Sequence, residues 1–176
     1  MSATLAFETS RWRIRPAVTS DLPALACAVA SPEFPQDLPL ARLYKAGELA
    51  EWLEKFCDYA DEPKLWSITT RSSQTCIGQI ALFAEGSTGT YWLSYWLAPE
   101  YWARGIAKEC IAALLHRDTV APAYRVVVAA VAEANHRSIS VLRGLGFKET
   151  TKALTKAVIP PRHICFALEI GTERAA

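Results

Sequence analysis

An α/β fold is predicted for this 176-residue chain, with elements following one another as βα(α)βββαβα and a last strand near the C-terminus. Three observations carry that prediction. Short alternating or β-branched runs recur along the chain, and the run from Arg125 to Val131 is apolar from Val126 onward, as in a strand buried on both faces. Between such runs, apolar residues fall at helical spacing: Leu49, Trp52, Leu53 and Phe56, then Ala107, Cys110, Ile111, Leu114 and Leu115. No internal repeat, low-complexity tract or Gly/Ser linker divides them, so residues 1–176 are read as one domain. At this length about two-thirds of the unfolded surface can be buried, enough for a core without staples.

Trp12-Arg13-Ile14-Arg15 alternates as a short strand and stops at Pro16, after which Ser20 or Asp21 is placed to cap a helix through Leu22, Leu25, Ala26 and Val29. Pro32, Pro35 and Pro39 make the stretch from Ser31 to Leu40 irregular, and a second helix is expected from Gly47 to Tyr59. Leu65 to Thr70 and Cys76 to Phe83 read as a hairpin about Arg71-Ser72-Ser73-Gln74. A turn at Gly86-Ser87-Thr88-Gly89 leads into the aromatic strand from Tyr91 to Leu97. Pro99 and a glycine loop then give way to a helix from Ala107 to about Arg117, and Pro122 ends that unit. A helix around Ser138 to Leu145 stopping at Gly146, and a strand near Ile164 to Glu169, complete the order.

Composition narrows the function classes. A net charge of +1 with 21% charged residues gives no footprint for nucleic acid or an anionic membrane. The five cysteines (Cys27, Cys57, Cys76, Cys110 and Cys165) are odd in number and lack a Cys-x-x-Cys pair, which signals neither a metal site nor a disulfide framework. Met1-Ser2-Ala3-Thr4 runs straight into a mixed, charged segment without a signal-peptide pattern, and no run approaches a membrane span. A cytoplasmic location is expected.

The chemistry is expected at Trp102-Ala103-Arg104-Gly105-Ile106-Ala107, between the aromatic strand and its helix. A helix N-terminus offers unpaired N–H groups and partial positive charge to a phosphate. Gly105 lets the backbone come close, and Arg104 and Lys108 add the charge that a diphosphate needs.

This segment resembles the GNAT acetyltransferase superfamily, whose signature is Gln/Arg-x-x-Gly-x-Gly/Ala. The run from Tyr95 to Ala107 looks like the branch containing the ribosomal-protein alanine and serine N-acetyltransferases, as do Asn135-His136-Arg137-Ser138 and Gly144-Leu145-Gly146-Phe147. Arg13-Ile14-Arg15-Pro16 and Glu51-Trp52-Leu53 also fit, so the likeness covers most of the chain. It implies a central mixed, mostly antiparallel sheet with splayed fourth and fifth strands and helices on both faces. It also implies acetyl-CoA as acyl donor, no metal, an amine acceptor (a protein N-terminus before a small-molecule amine) and a monomer or homodimer. The pantetheine arm would pair with backbone at Leu97, Ala98 and Trp102, and the diphosphate would rest on residues 102–108. Two departures stand out: Ala103 replaces the branch's usual Gly, costing about 1 kcal/mol if that position needs positive φ, and Gly144 replaces a Lys, with Arg143 beside it.

The resemblance implies Ser138 as proton donor to the leaving thiolate, with Asn135 as a helix cap that also contacts the cofactor. The branch's strand glutamate is Trp92 here, and Ser94 stands for its Gly, so Glu85 and Glu33 are the substitute candidates for general base. An α-amine is about one-tenth neutral at pH 7 and a lysine amine only about one part in 2,500, so an α-amine could react with water alone as base. His116, His136 and His163 show no triad partner and are read as structural. The competing reading is a CoA-binding sensor that kept the cradle and lost the base. A dinucleotide-binding domain is disfavoured because no Gly-x-Gly-x-x-Gly follows the first strand.

Overall fold

The computed structural model describes residues 6–36, 38–57, 64–85, 89–116, 126–151 and 159–170. Among them are strands β1 (Phe7–Glu8), β2 (Trp12–Pro16), β3 (Leu65–Thr70), β4 (Cys76–Ala84), β5 (Thr90–Leu97), β6 (Val126–Ala132), β7 (Lys148–Glu149) and β8 (His163–Glu169). The helices are α1 (Leu22–Ala30), α2 (Pro39–Ala46), α3 (Leu49–Cys57), α4 (Ile106–Leu115) and α5 (His136–Gly144). The eight strands form a mixed sheet in the order β1-β2-β3-β4-β5-β6-β8-β7. The β5–β6 pairing is parallel, whereas β1–β2, β2–β3, β3–β4, β6–β8 and β7–β8 are antiparallel. The α/β class expected from the sequence is the class observed.

The chain forms two compact units, Met1–Ala81 with Tyr95–Ile106, and Leu82–Ser94 with Ala107–Ala176. In the first, β1 to β3 and the opening of β4 follow as an antiparallel meander in which Trp12 faces Thr70 and Leu65 faces Ala81. Its apolar cluster gathers Leu25, Ala28 and Val29 of α1 with Phe34, Ala41, Leu49, Cys76, Trp96 and Ala98. Each fully buried large side chain contributes about 1.5–3 kcal/mol. Alongside runs a buried polar chain. Asp21 is 4% exposed and accepts from both Arg15 Nη atoms (2.9 and 2.6 Å), the Val18 N–H (3.1 Å) and the Ser67 hydroxyl (2.7 Å). Gln79 then donates to Ser67 Oγ (3.2 Å) and accepts from the Trp96 indole (3.1 Å). Burial alone would raise the Asp21 carboxyl, but the donors from Arg15, Ser67 and Val18 outweigh it and hold the group below the usual carboxylate range.

The second unit is built on β6, whose Val127 and Val128 are fully buried. Every residue from Val126 to Ala132 faces one on β8, from Glu169 to His163. The parallel β5–β6 ladder runs through Thr90–Val126, Tyr91–Val127 and Trp92–Val128, while β5 itself extends to Leu97. Gly146 takes φ 88 after α5, its N–H bonds the Arg143 carbonyl and the Phe147 N–H bonds Leu142 (both 3.0 Å), a Schellman cap. The Leu145-Gly146-Phe147 signal therefore has a backbone cause.

Several local expectations are corrected. Asp21 stands at the N-cap position of α1 but makes no side-chain cap bond there: it ends a 3-10 turn over Thr19–Asp21, and its carboxylate accepts the Val18 N–H instead. Pro39 opens α2 instead of extending the loop, since proline's fixed φ and missing N–H suit a first helical turn. Gly47 ends α2 at φ 76, so the next helix starts at Leu49. The two-residue strands β1 and β7 were not anticipated, being too short to show a period. The expected features at Gly86-Ser87-Thr88, Arg117, Pro122, Arg125 and the helix end at Tyr59 lie outside the described residues.

Candidate cofactor and active site

Strand β5 delivers the chain to the loop. The Leu97 carbonyl accepts from the Trp102 indole (2.8 Å), the Ala98 N–H donates to Ile77 O (2.9 Å) and the Ala98 carbonyl accepts from the Tyr101 N–H (2.9 Å). The Trp102 N–H donates to Pro99 O (3.1 Å), closing a 3-10 turn over Pro99–Tyr101. At two of the backbone positions expected to pair with a pantetheine arm, the N–H is thus already bonded, that of Ala98 to β4 and that of Trp102 within the loop. The Leu97 and Ala98 carbonyls each carry a second lone pair.

Ala103 then adopts φ 59 and Gly105 φ 73, so the replacement of glycine by Ala103 falls at a left-handed position, where an alanine is strained. Arg104 lies between them, exposed, its guanidinium 5.6 Å from the Tyr101 ring centroid. Helix α4 starts at Ile106, which is buried with Ala107, while Lys108 is exposed. An α-helix leaves its first four N–H groups without intrahelical acceptors, here those of Gly105, Ile106, Ala107 and Lys108. With glycine at the cap position, no side chain stands there to accept from them. Among the described residues, a β-carbon on Gly105 would meet only Arg11 Nη2, at 3.8 Å, an ordinary contact.

That arrangement fits a diphosphate: N–H groups without intrahelical acceptors at the positive end of a helix, a glycine backbone at position 105, and cationic side chains at Arg104 and Lys108. Sequence reasoning missed Arg11, whose Nη2 donates to the Arg104 carbonyl (3.2 Å) across 93 residues. Nothing local to the motif marks it.

Helix α5 carries the second block. Asn135 is its N-cap, accepting the Ser138 N–H through Oδ1 (3.1 Å), and Ser138 is half-buried in the first turn. Exposed Arg143 pairs with Glu149. A β-carbon at Gly144 would lie 3.2 Å from Lys108 Nζ and 3.4 Å from its Cε, so this glycine makes room for a lysine carried by α4.

The base candidates differ. Glu85 follows β4, its N–H bonds Thr90 O (2.8 Å), the residue is half-buried and carboxylate Oε2 is shielded from solvent. Glu33 is exposed on the 31–38 loop, its N–H on Ser31 Oγ (3.4 Å). Trp92 is half-buried in the ladder opposite Val128, and Trp66 is buried in the core. His116 bonds the Ala112 carbonyl (2.7 Å) and His163 that of Pro161 (3.0 Å). Among the described residues, no group of three His, Cys, Asp or Glu could hold a metal, and no helix is long and apolar enough to cross a membrane.

A family model described as the acetyltransferase (GNAT) domain matches residues 11–148. No curated protein matches the chain. Among solved structures, an acetyltransferase of the GNAT family from Bacillus anthracis superposes with a TM-score of 0.75 at 15% identity, over 93% of this chain and 98% of that one. The ribosomal-protein-S5-alanine acetyltransferase from Vibrio fischeri gives 0.70 at 17%, over 95% and 97%. A third, RimL, a ribosomal L7/L12 α-N-protein acetyltransferase in complex with coenzyme A, gives 0.75 at 17%, over 92% and 96%.

Proposed function

Because the chain belongs to the GNAT acetyltransferase family and is thereby an acyl-CoA-dependent N-acetyltransferase, we propose that it transfers an acetyl group to a primary amine, with a protein or peptide N-terminus as the favoured acceptor. The observation that carries this reading is the loop from Ala103 to Gly105: two left-handed residues, the second a glycine directly before helix α4, whose first-turn N–H groups have no intrahelical acceptors. Acetyl-CoA supplies an acyl group activated as a thioester. The N–H groups from Gly105 to Lys108, with the Arg104 and Lys108 side chains, hold its diphosphate, and the carbonyls of Leu97 and Ala98 are available to its amide-bearing arm.

The amine attacks directly in a ternary complex. Ser138 Oγ gives a proton to the leaving thiolate, and its place in the first turn of α5 is held by Asn135. Glu85 is the favoured acceptor of the amine proton, since half-burial suits a base better than the exposed position of Glu33. The α-amine acceptor is favoured on two grounds. It is neutral about 250-fold more often than a lysine amine at pH 7, and two of the structural neighbours bear the names of ribosomal-protein acetyltransferases.

Thiol release from acetyl-CoA with peptides bearing free N-termini, set against polyamines and free amino acids, tests the reading. Turnover is expected with the peptides. Tight acetyl-CoA binding without turnover on any amine would favour a sensor. Glu85→Gln is expected to lower activity more at pH 6.5 than at pH 9, and equal loss at both values rules Glu85 out as base.

A further inference from the structure

The N-terminal hairpin reaches the same loop through the Arg11 side chain. We infer that Arg11 is a positioning residue for the anion cradle: its Nη2 donates to the Arg104 carbonyl (3.2 Å) and thereby fixes the direction of the Gly105 N–H. This rests on the reading of residues 102–108 as the cradle for an acyl-CoA diphosphate.

A trans peptide is planar, so its C=O and N–H point in opposite directions. Holding the Arg104 oxygen toward the hairpin turns the Gly105 N–H the other way. Gly105 cannot fix this orientation alone, because a glycine takes positive and negative φ about equally readily. A flip of the Arg104–Gly105 peptide would carry that N–H to the hairpin side. Among the described residues, Arg11 Nη2 is the one neighbour within 4 Å of the β-carbon position at Gly105 outside the adjoining residues, and that guanidinium supplies the restraint.

Arg11 is itself well anchored. The Arg11 and Trp12 N–H groups both donate to Thr9 Oγ1 (3.3 and 2.9 Å), and the Thr9 N–H donates to Trp12 O (2.8 Å), which sets the turn between β1 and β2. The Arg11 guanidinium lies 5.9 Å from the Trp12 ring centroid. Trp12 meets Tyr101 edge-on at 6.4 Å, and Arg104 lies over Tyr101. One aromatic pair therefore lies against both ends of the Arg11–Arg104 bond.

The experiment uses the full chain with Arg11→Met and Arg11→Lys. Acetyl-CoA affinity is measured by calorimetry across a salt series, and kcat, KM and the melting temperature follow. Loss of one charge-assisted donor is expected to raise Kd and KM about tenfold in Arg11→Met. The value of kcat should stay unchanged, and the slope of log Kd against log salt should match the wild type, since no phosphate contact is lost. Arg11→Lys, which can still donate to the carbonyl, should recover part of the affinity. On titration with adenosine 3′,5′-bisphosphate or ADP, the Gly105 amide resonance should shift in the wild type and much less in Arg11→Met. A flattened salt slope in Arg11→Met would make Arg11 a direct phosphate ligand and overturn the positioning role. Wild-type binding with unchanged Arg11→Met affinity overturns this inference alone, whereas a wild type that binds no acetyl-CoA overturns the cradle reading as well.

Discussion

Replacing Gly105 by alanine separates what the loop costs the folded chain from what it gives the ligand. The β-carbon would be 3.8 Å from Arg11 Nη2, an ordinary contact, so no clash arises within the protein. The cost is conformational, because φ is 73. A left-handed L-residue costs about 1–2 kcal/mol, and the smaller entropy of the unfolded chain offsets about 0.4–1 kcal/mol of that. The net destabilisation is about 0.5–1 kcal/mol. At about 2.1 cal/mol/K per residue, unfolding 176 residues carries an entropy near 370 cal/mol/K, so the melting temperature should fall by about 1–3 °C. Ala103→Gly, at φ 59, reverses both terms and should raise it by a similar amount. Binding should respond differently. The methyl group at position 105 stands directly before α4 and is expected to weaken acetyl-CoA at least tenfold, about 1.4 kcal/mol, whereas Ala103→Gly should leave affinity intact. Gly105→Glu adds a negative charge to the same place and should abolish binding. Ligand-free differential scanning calorimetry and isothermal titration supply the two readouts. Gly105→Ala with wild-type melting temperature and wild-type affinity would refute the reasoning, as would an Ala103→Gly variant that melts lower than the wild type.

Three further outcomes are expected. Gly78→Ala would place a β-carbon 2.4 Å from the Trp96 carbonyl and 2.5 Å from Leu97 Cδ2, so β5 must move; urea denaturation should show a loss of about 1–3 kcal/mol. Asp21→Asn removes the charge that Arg15 pairs with and should cost about 3–5 kcal/mol. The Asp21 carboxyl is held below its ordinary value, so its contribution is complete above about pH 4 and fades as pH falls through the folded-state pKa. Acid titration followed by circular dichroism should therefore show a loss of stability below pH 4 in the wild type that is smaller in Asp21→Asn. Burial, with the nearby Asp21 charge, pushes the Cys76 thiol up to about 11, so iodoacetamide at pH 8 should label exposed Cys27 while Cys76 stays unmodified until the protein unfolds, as read by peptide mass mapping.

What could be read in advance follows the range of each interaction. The Trp102–Ala107 loop was legible because its parts are neighbours in sequence: a strand, a glycine, two cations and a helical stripe. The strain at Ala103 was legible too, as a consequence of alanine standing where glycine is usual. Helix α2 was missed because Pro39 reads equally as a breaker and as a first-turn residue, and only the packing of Ala41 into the core decides between them. Asp21 looked like a cap because capping is local, yet its partners Arg15 and Ser67 are 6 and 46 residues away. Arg11 was invisible for the same reason. Glu33 and Glu85 were indistinguishable in the sequence, and their different burial is set by elements that no local pattern specifies.

The chain of polar groups from Arg15 through Asp21, Ser67 and Gln79 to Trp96 bears on how the sheet finds its pairing. Arg15, Ser67 and Gln79 are direct cross-strand partners on β2, β3 and β4. Apolar strands alone tolerate sliding, because a valine or isoleucine fits many neighbours almost equally well. A slip of one residue at β3 would instead turn Ser67 to the opposite face and present Trp66 or Ile68 to Gln79 and the Asp21 carboxylate. Misaligned sheets would then carry a buried carboxylate short of a donor and an amide short of its acceptor, each penalised by about 1–3 kcal/mol or more. These residues thus disfavour misaligned pairings of β2, β3 and β4, the strands that lead to β5 and the loop after it.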